Sequence, residues 1–239
     1  MIVQGNSKLG TSGSVWCFGI PAGVTCPGST ELCRSKCYAM KGFYRMANVK
    51  ASLESNRLAA LKDDFVDRMT AEIRKVKAKY FRGHTSGDFM TPEYVLKWVE
   101  IVHRCPDTVF WFYTRSWSVA GFARPLAKLA KLPNMRLWYS ADRETGYPDR
   151  LPPKVRVAYL ADSDEDARAV DPTRARLIFR DVPDRKTVLL SVGGRPVCPH
   201  ENGRHSDLTC ESCKLCLRPA PAADTYPNAA TRRRPLAMA

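Results

Sequence analysis

Apolar residues recur along this chain in two rhythms, short continuous runs and longer stretches with a helical stripe. The runs are SVWCFGI (14–20), YFRGHTSGDF (80–89), TVFWFYT (108–114), MRLWYSA (135–141), VRVAYLA (155–161), RARLIFR (174–180) and TVLLSV (187–192). Aromatic and β-branched residues at successive positions, as in TVFWFYT, predict strands buried on both faces. Between the runs the period changes to that of a helix. From about Asn48 to Tyr80 a stripe of Leu58, Leu61, Phe65, Met69, Ile73, Val76 and Tyr80 faces away from Lys62, Arg68, Lys75 and Lys79, which predicts one long amphipathic helix. Thr91-Pro92-Glu93 starts the next helix with a capping hydroxyl and a proline at the first helical position. Trp98, Ile101 and Val102 form its core face. A third helix is expected from Val119 to Leu132, stopped by Pro133.

Strands alternating with helices imply parallel pairing through right-handed crossovers, and hence an α/β fold. Six or seven such units predict a partial (β/α)6–7 barrel, because a full eightfold barrel usually takes about 250 residues. An open doubly wound sheet is the alternative. The expected organisation is a barrel-like domain over 1–197, a cysteine-rich segment over 198–216 packed on the same domain, and a flexible tail over 217–239. That tail is rich in proline and alanine and has no periodic apolar face.

The chain is 44% hydrophobic and 26% charged, with 38 Lys and Arg against 24 Asp and Glu, a formal charge of +14. No apolar run reaches membrane-spanning length, so no membrane partner is expected. The positive excess favours an anionic partner such as nucleic acid or a nucleotide, a solubilising surface being the plainer reading. Arg232, Arg233 and Arg234 in the tail belong to the same two readings.

Seven of the nine cysteines form two groups, Cys26, Cys33 and Cys37 near the start and Cys198, Cys210, Cys213 and Cys216 near the end. No apolar secretory segment opens the chain, and an odd count leaves one thiol over, so metal binding is expected rather than a disulfide framework. Thiolates select zinc or iron–sulfur clusters. CxxCxxC with a remote fourth cysteine suits a [4Fe-4S] cluster; zinc remains the alternative there, with His200 or His205 in reserve. The first group has three thiolates, and three ligands on a four-iron cluster leave one iron open. Cys17 is either a fourth ligand or packing, and Cys105 reads as a small buried residue.

Parallel strands gather ligand-binding residues at their carboxyl ends. Here those ends carry the first cysteine group, His84 to Asp88, Tyr113 to Ser116, Ser140 to Glu144, and Ala161-Asp162. Asp88, His84, Arg115 and Asp142 are the candidate catalytic groups. Taken singly, each segment also reads as a turn, a cap or a surface ion pair.

The motifs QGNSKLG, TCPGSTELCRSKCYA, SGDF, FWFYTRSW, LWYSADRETG and CPHENG followed by CxxCxxC resemble the bacteriophage "gene product 88" domain family, over nearly the whole chain to Cys216. More distantly, the architecture is similar to radical SAM iron–sulfur proteins. That likeness implies a cluster held by Cys26, Cys33 and Cys37 with S-adenosylmethionine on the open iron. Ser86, Gly87 and Asp88 stand where that superfamily holds the methionyl amine, and Ser140 and Arg143 where polar residues meet ribose and carboxylate. The C-terminal cysteines would resemble an auxiliary cluster. The spacing Cys-x6-Cys-x3-Cys departs from the usual CxxxCxxC, and Lys36 rather than an aromatic precedes Cys37. The implied function is an iron–sulfur, radical-SAM-like enzyme acting on an anionic substrate in the cytoplasm of a bacterial host. A non-radical metalloenzyme doing base exchange or sulfur transfer, with structural zinc, is one alternative. A non-catalytic, metal-stabilised nucleic-acid-binding regulator is another.

Overall fold

The strands expected up to residue 180 form, and each lies beside its predecessor in the chain. The computed structural model describes residues 1–10, 12–181, 190–202 and 208–221. Its first half runs β1 (Val3–Gln4), β2 (Val15–Cys17), α1 (Glu31–Lys36), α2 (Ala47–Leu61), α3 (Phe65–Lys75), β3 (Tyr80–Arg82), α4 (Pro92–Arg104) and β4 (Val109–Thr114). The second half runs α5 (Ala123–Lys131), β5 (Met135–Ala141), β6 (Arg156–Ala161), α6 (Asp164–Arg168), β7 (Leu177–Arg180), β8 (Ser191–Val192), β9 (Arg195–Pro196) and α7 (Cys210–Cys213).

The result is a mixed α/β chain built on a seven-stranded, mostly parallel sheet in the order β1 to β7. Only β1 runs antiparallel, against β2; the six strands from β2 to β7 are parallel. No pairing joins β1 to β7 among the described residues, so the sheet is open. Consecutive parallel order sends every crossover the same way, which puts the helices on one face. The core agrees. Phe65 and Met69 of α3, Trp98 and Ile101 of α4, Leu126 of α5 and Ala167 of α6 share one buried cluster with Phe81, Phe112, Leu137, Val157 and Ile178 of the sheet. A doubly wound sheet, with helices on both faces, is therefore not what forms.

Strand alternation sends the other residues to the opposite face. There Val15, Cys17, Trp111, Trp138, Ala158 and Leu177 pack under Leu9, Cys198, Leu215, Cys216 and Leu217. The C-terminal cysteine segment, with its short α7, thus covers the face opposite α3 to α6. Leu217 is buried and Arg218 accepts a hydrogen bond from Arg156, so the packed segment extends into residues expected to begin the tail.

Three helical expectations change. The long stripe breaks at Lys62–Asp64 into α2 and α3: α2 buries Asn56, Ala59 and Ala60, while Leu58 and Leu61 stay about half exposed. Lys97 then donates its ammonium to the carbonyls of Ala60 (3.0 Å) and Lys62 (2.7 Å), satisfying the freed end of α2. Tyr80 belongs to β3 rather than to the helix. The third helix begins only at Ala123, after a tight turn at Ser116–Ser118. The Thr91 cap forms as expected, its hydroxyl accepting from the Tyr94 amide at 3.2 Å. Of the expected strand 187–192, residues 187–189 lie outside the described residues, and Ser191–Val192 pair with β9 in a separate ribbon. Residues 222–239, including the three arginines, lie outside them too, as does His205. Among the described residues no helix is long and apolar enough to cross a membrane.

Candidate metal centre at the strand ends

The chain leaves β2 and runs into the loop that carries Cys26, Cys33 and Cys37. Thr30 caps α1, its hydroxyl accepting from the Cys33 amide at 3.0 Å. Cys33 lies in the first turn of α1 and Cys37 closes it, so the two are four residues apart and share a side of the helix. What fixes this small helix comes from far away in sequence. Asp142, at the end of β5, accepts from the Thr30 hydroxyl (2.8 Å), and Glu144 accepts from the Leu32 amide (3.0 Å).

Asp142 is fully buried. Besides Thr30 it accepts from Arg115 Nη1 at 2.5 Å, the Glu144 and Thr145 amides at 2.9 and 2.7 Å, and the Thr145 hydroxyl at 2.7 Å. Arg115 also donates to the Thr145 hydroxyl at 2.6 Å. Burial works against this carboxylate, but the Thr145 bonds and the Arg115 charge outweigh it and hold its pKa below the usual range. Close approach completes the docking. A Cβ on Gly28 would stand 2.2 Å from the Arg115 carbonyl oxygen, so only glycine lets the loop lie this close to the end of β4. Gly87, at φ +79°, lies under the same loop, its Cβ position 2.6 Å from the Thr25 hydroxyl.

The three loop thiols are half-buried, and none of the nine cysteines forms a disulfide. Burial pushes the Cys26 thiol up to about 12, and Asp88, Cys33 and Cys37 push the same way. Cys33 is raised by burial and by Cys37, Asp142 and Asp88, while the Arg115 guanidinium lowers it. The three sulfurs therefore lie within electrostatic reach of one another and of the Asp88–Arg115–Asp142 group. Among the described residues, no three His, Cys, Asp or Glu side chains stand in metal-ligating geometry. A metal ion or cluster would have to draw these sulfurs closer together. The donor set itself suits a thiophilic metal: three thiols at one rim, with no competing disulfide.

The other expected site residues divide. Asp88 is buried, and its carboxylate accepts from the Phe89 and Arg115 amides, both at 2.7 Å. Burial raises its pKa against those bonds. Asp88, Arg115 and Asp142 thus come together beneath the cysteine loop, chiefly as its scaffold. His84 does not join them. It sits at φ +52° and turns into the helix-side core among Phe18, Phe89, Tyr94, Trp98 and Phe112. Its Nε2 meets the Tyr94 hydroxyl at 3.1 Å, and Nδ1 has no hydrogen-bond partner. Burial drives its pKa down to about 3, so the ring is neutral and enclosed, a poor place for a proton carrier. Ser86 is buried and its hydroxyl lacks a hydrogen-bond partner. Ser140 is half-buried and shares the opposite sheet face with Trp138. Arg143 pairs at the surface with Asp162, at 2.6 Å.

The second cysteine group lies on the sheet face opposite the helices. Burial raises Cys216 to about 12, with Cys210 and Cys198 pushing the same way and a bond from the Tyr113 hydroxyl, at 2.7 Å, working against them. Cys198 and Cys210 are thus each in electrostatic reach of Cys216, and Cys213 ends the short helix that Cys210 begins. Cys17 packs on this side rather than with the loop, raised by burial to about 11. Cys105 lies in the helix-side core.

Side chains not singled out in the sequence hold this segment down. Arg136 Nε donates to the Leu217 carbonyl at 3.0 Å and Trp138 Nε1 to that of Cys216 at 3.2 Å. Arg156 donates to the Arg218 carbonyl at 2.7 Å and lies 3.8 Å above the Trp138 ring. Arg82 lies 4.5 Å above the Tyr113 ring. From the other side the Cys210 and Glu211 amides donate to the carbonyls of Lys8 and Leu9, both at 2.9 Å. A signal for these was present: an arginine inside each of three otherwise apolar strands, at positions that alternation sends to one face. The Thr30 cap and the Glu144 contact had no such signal.

Residues 1–219 match the sequence model of the family described as "Gene product 88". The "Gene 88 protein" of Mycobacterium phage D29 is 29% identical over 235 aligned residues, covering 89% of this chain and 86% of its own length. The protein of that name from Mycobacterium phage L5 is similar to the same extent, 29% identical over 235 residues. No solved structure matches the chain.

Proposed function

The chain belongs to the gene product 88 family, and we propose that it is an iron–sulfur protein of radical-SAM-like build acting on an anionic substrate. One observation carries this reading. The loop after the first strand of the parallel run bears three thiols and is latched across the strand ends by Asp142, Glu144 and Arg115. Six parallel strands in consecutive order with helices on one face support the partial (β/α)6–7 barrel of this reading, in which the loop would occupy the rim where such folds do chemistry.

A four-iron cluster held there would supply one-electron reduction of a sulfonium co-substrate. The chain's own residues do the rest. Cys26, Cys33 and Cys37 would hold the cluster, and the Arg115 guanidinium beside Cys33 favours the thiolate form. Asp88 fixes the backbone of Phe89 and Arg115, and so orients the loop ends that face the thiols. The C-terminal thiols, on a segment whose carbonyls at 216–218 are held by Arg136, Trp138 and Arg156, would hold a second centre, either cluster or zinc.

Anaerobic protein incubated with reductant and S-adenosylmethionine is expected to release 5′-deoxyadenosine and methionine. If neither appears although iron and sulfide are intact, the radical part of the reading is removed, leaving a non-radical metalloprotein.

A further inference from the structure

The segment that follows Cys37 is the most exposed apolar surface of the described chain. Two tight turns, Tyr38–Met40 and Gly42–Arg45, lead into α2. Phe43 is 82% exposed and Tyr38 60%, with Met40 and Met46 about half exposed. Aromatic side chains standing this far out of a fold gain nothing from its core. The tyrosines anchor the turns without burying them: the Tyr38 and Tyr44 hydroxyls both donate to the Thr85 carbonyl at the end of β3. Val24, 80% exposed, extends the patch from the cysteine loop, since a Cβ on the neighbouring Gly23 would stand 4.0 Å from the Met40 methyl.

Charge identifies the occupant. From Leu32 to Leu53 the chain carries Arg34, Lys36, Lys41, Arg45 and Lys50 and no Asp or Glu. Arg34, Lys41, Arg45 and Lys50 are exposed, and none makes a salt bridge among the described residues. Elsewhere on the surface the arginines do find carboxylates, as Arg57, Arg104 and Arg143 show. Arg34 is tied to the Ser29 carbonyl and hydroxyl, but open cations such as Lys41, Arg45 and Lys50, interleaved with exposed rings, are the chemistry that holds an unpaired nucleic-acid strand: cations track the phosphates, and bases stack on the rings. A duplex hides its base faces and would leave Phe43 without a role.

We propose that residues 34–50 form a binding surface for single-stranded nucleic acid, with Phe43 as a stacking platform and Lys41 and Arg45 as phosphate contacts. A strand lying there passes beside Cys37 and so arrives at the thiol rim. The inference rests on the anionic-substrate part of the function proposed above, and not on the metal.

The test is fluorescence anisotropy of the full chain with labelled 20-nucleotide dT and rU strands and a duplex control, across a salt series. Metal content is measured in parallel for every variant. Both single strands are expected to bind in preference to duplex, the tighter of the two identifying the sugar that is recognised. Phe43→Ala is expected to weaken binding about tenfold, as loss of one stacked base does, at unchanged thermal stability and metal content. Lys41→Gln with Arg45→Gln is expected to lower the slope of log affinity against log salt by roughly 1.4, about 0.7 per lost contact. Equal or tighter duplex binding, no single-strand binding, or affinity unmoved by both variants overturns the proposal. So does equal competition by anionic phospholipid vesicles. Because the variants keep their metal, none of these outcomes can be confused with failure of the iron–sulfur reading.

Discussion

Asp142→Ala is expected to destabilise the fold by about 3–5 kcal/mol, the usual cost of breaking a buried ion pair from one side. The carboxylate is fully buried and the Arg115 side chain 7% exposed. Removing the acid leaves the guanidinium, among the described residues, with only the Thr145 hydroxyl as a side-chain acceptor. It also strips an acceptor from Thr30, the cap of the helix that carries Cys33. The loss should therefore be felt in two places, in the midpoint of urea unfolding and in the metal content of the loop. Arg115→Met in the Asp142→Ala background removes the stranded charge, so the double variant should be less destabilised than the two single losses added together. A single variant within about 1 kcal/mol of the parent would show that the latch does not carry the loop.

Acidification is expected to weaken the protein through His84. Its pKa is about 3 in the fold and near 6.5 in an unfolded chain. Below pH 6.5 the unfolded chain takes up a proton that the folded protein refuses, so stability falls as pH falls, over the window from about 6.5 to 3. The slope approaches about 1.4 kcal/mol per pH unit, or roughly 2 kcal/mol lost by pH 5. Asp88 opposes this at the acid end. Its folded pKa is raised, so it adds stability as pH falls towards its unfolded value. Chemical unfolding of the parent and of His84→Gln between pH 7.5 and 5 separates the two. The variant should be weaker at neutral pH, where it disturbs the aromatic cage, but should lose less between the two pH values. Equal losses would mean that the imidazole is not kept neutral by burial.

The sheet was legible because buried parallel strands are nearly continuous apolar runs, and TVFWFYT or MRLWYSA leave little else to fold into. The break between α2 and α3 was not. Leu58 and Leu61 continue the helical stripe as letters but stay about half exposed, while Ala59 and Ala60 are buried, and only tertiary packing reveals that. The rim residues divide along a similar line. Asp88, Arg115 and Asp142 announced themselves as charged groups at strand ends, and they do meet below the cysteine loop. His84, next to them in sequence, turns into the core, because one residue at positive φ reverses the direction of its side chain. Thr30 and Glu144 stand 114 residues apart in the numbering, and nothing local to either one shows that they meet on one helix terminus. The face under the C-terminal cysteines had its clue in Arg82, Arg136 and Arg156, whose positions in apolar strands share one alternation.

Iron and acid-labile sulfide, counted in anaerobically reconstituted protein and in its Cys26→Ser, Cys33→Ser, Cys37→Ser triple variant, decide whether the loop after β2 holds a cluster. About four irons fewer are expected in the variant, with the fold retained and any metal at the C-terminal cysteines unchanged. A parent protein that takes up no iron, or a triple variant that holds as much as its parent, would contradict a cluster there.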